Sequence, residues 1–199
     1  MIKRKNIVLL SALLSTSVAI AAPNISAGSD PYFNGADGVA QKDIIVKPVQ
    51  LDLDAPAWVA MNYRTGDVVS EKAMDVKREP ASLTKIMTSY IIASEIKAGN
   101  LKWDTMIPIS HTAASTGGSK MYIEAGKKVS VKDLVRGMDI VSGNDAAMAL
   151  AEYVAGSAKA FTDLMNQTAK AVGMSSTRFA NPDGLPGGEQ YTTAHDMAL

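Results

Sequence analysis

The sequence predicts a mixed fold of the α/β (α+β) class, in which a short antiparallel hairpin precedes a succession of helices. Three observations predict it. Apolar runs flank a turn at Asn62 to Asp67, apolar residues recur at helical spacing after Ser82, and helix start and stop signals repeat from Ser130 onward.

The first residues read as an export address. Lys3, Arg4 and Lys5 precede an apolar run from Ile7 to Ala21 that ends in the small-residue triplet Ala19, Ile20, Ala21. Ser11, Ser15, Thr16 and Ser17 interrupt the run, which is short for a membrane span, so residues 1–21 are expected to be a cleaved signal peptide. Residues 22–43 are rich in Gly, Ser, Asn, Asp and Ala, which predicts a flexible leader. The folded portion is expected over 44–199.

Apolar character returns at Ile44, Ile45 and Val46. Trp58 to Met61 and Val68, Val69 then predict the two strands of a hairpin whose loop contains Gly66. Leu83, Ile86, Met87, Tyr90 and Ile91 predict a helix from Ser82 to Ala98, stopped by Gly99 and Asn100. Gly117 and Gly118 mark a loop, and Met121 to Ile123 are read as at most a short strand before a turn at Gly126. Ser130 with Asp133 forms a capping pair for a helix through about Ile140. The alanine-rich stretch Ala146 to Val154 suits a buried helix, and Ser157 caps another that ends near Gly173. Asn181 to Gly188 is an extended loop, and Thr193 with Asp196 begins a last helix.

Composition removes several function classes. Twenty acidic and twenty basic residues balance, and no basic patch stands outside the N-terminus, which argues against nucleic acid as a partner. There is no cysteine, so thiol chemistry and thiolate metal sites are excluded within this sequence. His111 and His195 form no H-E-x-x-H pair, so no metal and no cofactor are expected, and both are read as surface or supporting residues.

A serine hydroxyl becomes a useful nucleophile when a neighbouring base takes its proton, and a neutral lysine can be that base. Ser82 and Lys85, three apart on one helix face, meet that requirement. The competing reading is a helix cap followed by a surface lysine. The S-x-x-K spacing recurs at Ser94/Lys97, where Lys97 is explained as a solvated residue near the negative end of the helix. Ser142, Gly143 and Asn144 interrupt two helices. Ser142 can relay a proton to a leaving amine and the Asn144 amide can hold a substrate amide and the lysine, although the trio also reads as a helix stop followed by an N-cap.

In order and separation the two motifs fit a known set, S-x-x-K followed by S-D-N and K-T-G, with S-G-N here in the second place. Ala81 to Tyr90 (A-S-L-T-K-I-M-T-S-Y) and Ser142 to Ala146 (S-G-N-D-A) closely resemble the low-molecular-mass penicillin-binding proteins, the serine-type D-alanyl-D-alanine carboxypeptidases. The resemblance runs from about Ala57 to Leu199 and includes Asn62-Tyr63-Arg64-Thr65-Gly66 and Ala194 to Leu199. It implies Ser82 as the acylated serine, Lys85 as proton acceptor, Ser142 as relay and Asn144 as substrate holder. It also implies a penicillin-binding/β-lactamase-like transpeptidase fold, an antiparallel sheet with a helical subdomain.

The implied partners are peptidoglycan stem peptides and β-lactam antibiotics. The implied location is the periplasm, with the inner-membrane surface reached in the family through a C-terminal tail not found in this sequence. No K-T-G occurs here, so the sequence is expected to be truncated before the strand that carries it. A catalytically inactive peptidoglycan-binding homologue is one alternative. A class A-like β-lactamase is another, but Glu189 lacks the E-x-x-x-N setting of its water-activating acid.

Overall fold

The computed structural model describes residues 51–199, so the expected signal peptide, the leader and Ile44 to Val46 lie outside the described residues. Strands β1 (Trp58–Met61) and β2 (Val68–Lys72) pair antiparallel, with Trp58 opposite Lys72 and Ala60 opposite Ser70. The turn between them closes through Asn62. Its side-chain oxygen accepts from the N–H of Arg64 at 2.9 Å, and its carbonyl accepts from Gly66 at 2.8 Å. The predicted hairpin is present.

Helix α1 (Thr84–Lys97) follows a single tight helical turn at Ala81–Leu83 and stops at Gly99, whose φ is 79°. The α-helix therefore begins two residues later than the sequence predicts. Strand β3 (Met106–Pro108) leads into α2 (His111–Ser115) and pairs antiparallel with β4 (Lys128–Ser130), a second small sheet that local pattern did not predict. Met121 to Ile123, read as at most a short strand, are irregular, the N–H groups of Met121 and Ile123 bonding to a side chain and not to a neighbouring strand.

The capping signals place the remaining helices. The Ser130 hydroxyl accepts from the Asp133 N–H at 3.1 Å and donates to its carboxylate at 2.7 Å, opening α3 (Val131–Val141). Helix α4 (Asn144–Ala155) begins two residues before the alanine-rich stretch. Ser157 caps α5 (Ala158–Ala171) and Thr193 caps α6 (Ala194–Ala198) through N–H bonds of 3.1 and 3.0 Å.

Helix α4 is the axis of the helical part, touching α1, α2, α3 and α5. Ala146, Ala147, Ala149 and Ala151 are buried on it, and their small side chains let Leu134, Met138, Phe161 and Met165 pack close around it. Burying a side chain such as Phe161 contributes about 2 kcal/mol, so this cluster fixes the ends of α1, α3 and α4 relative to one another.

Candidate active site

Ser82 is exposed within the tight turn ahead of α1. Side chains three apart nearly eclipse in such a turn, so Lys85 still lies over the serine, with Nζ 3.3 Å from Ser82 Oγ. Ala81, just before it, holds a φ of 45°, a conformation costing a non-glycine residue on the order of 1 kcal/mol. The serine is thus presented by a locally strained backbone.

Lys85 is 5% exposed, and its Nζ donates to the carbonyl of Asp183 at 2.7 Å. Burial pushes the ammonium below its ordinary pKa, and the nearby Asp183 carboxyl opposes that shift. The Asp183 carboxyl is itself pushed up by burial, against the Leu185 N–H and the Lys85 charge. A neutral Lys85 carries a lone pair, and the contact with Ser82 then runs in the other direction, from hydroxyl to amine.

The sequence predicts an extended loop around Asp183, and that loop is the floor beneath Lys85. Thr88 Oγ1 donates to the Pro182 carbonyl at 2.7 Å, and the Asn181 side chain accepts from Gly184 N–H at 2.7 Å while donating to the Leu185 carbonyl at 2.8 Å. Gly184, at φ 82°, lies so close to the Ala81 carbonyl that a Cβ there would overlap it. The strained turn and the loop are one unit. The available sequence signal was the Asn-Pro-Asp-Gly string, which reports a turn but not what it turns against.

Ser142 ends α3 in the left-handed region, φ 57°, and its Oγ donates to Ser82 Oγ at 3.0 Å. Ser82 therefore lies between an amine and a second hydroxyl, an arrangement able to take up and return a proton. Gly143 caps α4 and Asn144 is its first residue, 4% exposed. The trio is a helix stop followed by an N-cap, and that same turn brings Ser142 to Ser82. The Asn144 amide donates to the Gly117 carbonyl at 2.8 Å, and its main-chain N–H to Ser119 at 2.7 Å. The expected link to Lys85 is not among its hydrogen bonds, because the amine is already directed at Ser82 and Asp183. Gly118 makes room for this amide, since a Cβ there would stand 2.5 Å from Asn144 Nδ2.

The second S-x-x-K pair has no such setting. Ser94 donates back to the Tyr90 carbonyl at 2.9 Å, and Lys97 is exposed in the last turn of α1. Glu189 is exposed as well. Asp145, which sequence reasoning passed over, is fully buried, and its carboxylate accepts from Met121, Ile123 and Ala146 N–H groups at 3.0, 3.2 and 2.9 Å. A charged residue at the head of an alanine-rich helix was the signal for it.

A family profile described as D-alanyl-D-alanine carboxypeptidase matches residues 44–199. The D-alanyl-D-alanine carboxypeptidase DacC of Escherichia coli is 46% identical over 153 residues, covering 74% of this chain and 38% of that protein. DacF of Bacillus subtilis is 39% identical over 150 residues, covering 75% and 39%. The crystal structure of DacD from Francisella tularensis has 78% identity and a TM-score of 0.74, over 84% of this chain and 41% of that one. Penicillin binding protein 6B from Escherichia coli has 34% identity and a TM-score of 0.74, over 79% and 51%. The chain thus spans about two fifths of the length of these curated relatives.

Proposed function

The chain belongs to the D-alanyl-D-alanine carboxypeptidase family and has the penicillin-binding fold, and from that premise we propose that it carries the acylating centre of a serine DD-carboxypeptidase. One observation carries the reading: Ser82 Oγ lies 3.3 Å from a buried lysine amine and 3.0 Å from the Ser142 hydroxyl.

On this reading Ser82 Oγ attacks the carbonyl between two D-alanines of a peptidoglycan stem peptide while its proton passes to Lys85. Ser142 relays that proton to the leaving amine, and D-alanine departs. Water then attacks the acyl-serine ester, gives its proton back through the same groups, and releases the shortened peptide. Asn144, fixed by Gly117 and Ser119, presents its amide to the substrate backbone. β-Lactams acylate the same serine. The oxyanion needs a second donor from the K-T-G strand, which this sequence does not include, and one such donor contributes about 100-fold or more in rate.

On the same reading the protein acts on the outer side of the inner membrane, delivered by residues 1–21. Among the described residues no helix is long and apolar enough to cross a membrane. The β-lactamase reading is disfavoured by the family, and Glu189, the one candidate for a water-activating acid, is exposed and lacks the E-x-x-x-N setting.

The test uses the full-length protein with a labelled penicillin and a peptide ending in two D-alanines. Stable label on wild type, none on Ser82→Ala, together with D-alanine release, supports the proposal. Rapid loss of label would mark a lactamase, and neither label nor release would mark a binding protein.

A further inference from the structure

Tyr122, on the segment that packs against the Ser142-Gly143-Asn144 turn, has a conformation that its own packing does not explain. Its φ is 63°, a region bulky aromatic residues rarely occupy, and it is 84% exposed. The hold comes from its neighbours. The buried Asp145 carboxylate accepts from the N–H groups of both Met121 and Ile123, gripping the chain on either side of the tyrosine. Asp145 follows Asn144 directly in α4, so the same helix start that sets the Ser142-Gly143-Asn144 turn also sets the tyrosine.

The gripped segment lies against that turn. Met121 N is 3.3 Å from the point a Cβ on Gly143 would occupy, and the Ser119 carbonyl accepts from Asn144 N–H at 2.7 Å. Strain of this kind persists only where surrounding structure imposes it, and it concentrates where a side chain must be aimed. An exposed aromatic residue held on a segment that packs against the Ser142-Gly143-Asn144 turn can offer a flat apolar surface to whatever is acylating Ser82.

We propose that Tyr122 is a specificity-determining residue that packs against planar or aromatic groups on the acyl side of the substrate, and that Asp145 is the positioning residue that aims it. The inference rests on the reading of Ser82 as the acylated residue.

The experiment measures acylation rates of the full-length protein by benzylpenicillin, whose acyl side chain ends in a phenyl ring, and by 6-aminopenicillanic acid, which has none. The readout is the ratio of the two rates. Tyr122→Ala lowers the ratio about fivefold, the scale of one aromatic contact, whereas Tyr122→Phe preserves it. Asp145→Asn lowers the ratio to the same level, and the double variant lowers it no further. An unchanged ratio in Tyr122→Ala overturns the inference, as does an Asp145→Asn protein that loses both rates equally. If Asp145→Asn fails to fold, the comparison of Tyr122→Ala with Tyr122→Phe still decides the role of the ring. Labelling of Ser82→Ala is read separately, so the two failures are distinguishable: label persisting there overturns the nucleophile and with it this inference, whereas no label there with an unchanged ratio in Tyr122→Ala overturns the tyrosine alone.

Discussion

The Lys85 amine donates to the carbonyl oxygen of Asp183 at 2.7 Å, joining residues 98 positions apart in the chain. This bond and the contact with Ser82 aim the amine from two sides, so the geometry of the acylating pair depends on a loop that comes more than ninety residues later.

Gly184→Ala should therefore damage the site without touching it. A Cβ at this position meets the Ala81 carbonyl, and the φ of 82° disfavours any side chain. The expected cost is about 2 kcal/mol of stability or more, with a displaced Asp183 carbonyl and slower acylation. Thermal unfolding and penicillin labelling of the full-length protein read both effects.

Ser142→Gly separates chemistry from structure. Glycine tolerates the φ of 57°, so the melting temperature should hold or rise slightly, while loss of the relay hydroxyl should slow acylation by about 100-fold. A parallel fall in stability and rate would instead mark Ser142 as a structural cap.

The recurrence at Ser94 and Lys97 supplies a control. Ser94→Ala and Lys97→Ala should leave labelling at the wild-type level and change stability by no more than about 0.5 kcal/mol, since one hydroxyl only back-bonds within α1 and the amine is solvated.

The legibility of this protein in its sequence divides by distance along the chain. The hairpin, the stop of α1 at Gly99 and the caps at Ser130, Ser157 and Thr193 were all readable, because each is decided within a few residues. The Ser82/Lys85 pair was readable for the same reason. The sheet of β3 and β4 was not, since strands of three residues carry too little alternation to register, and Pro108 obscures one of them. The grip of Asp145 on Met121 and Ile123 and the place of Asp183 beneath Lys85 depend on separations of 22 to 98 residues, which no local pattern encodes.

Burial of Lys85 also has a stability signature. Its folded pKa is lowered, so below that value the folded protein carries the full cost of a buried ammonium. Between the lowered value and 10.5 the unfolded chain binds more protons than the folded one, and stability rises with pH across that window. Lys85→Met should flatten this slope and, below the folded pKa, match or exceed wild type in stability. Denaturant unfolding from neutral pH toward 10.5 checks it. Asp183, whose pKa is raised, acts at the acid end with the opposite sign: its contribution falls as pH rises from 3.8 through the raised value.

The most direct test of the central claim, that a neutral Lys85 activates Ser82, is the pH dependence of penicillin acylation in the full-length protein, with the adduct located by mass spectrometry of its peptides. The predicted result is a single adduct on the peptide containing Ser82, forming faster as pH rises through the depressed lysine pKa and levelling off before 10.5. Lys85→Arg, which stays protonated, should form none. An adduct on any other residue, or wild-type labelling of Lys85→Arg, would contradict the account.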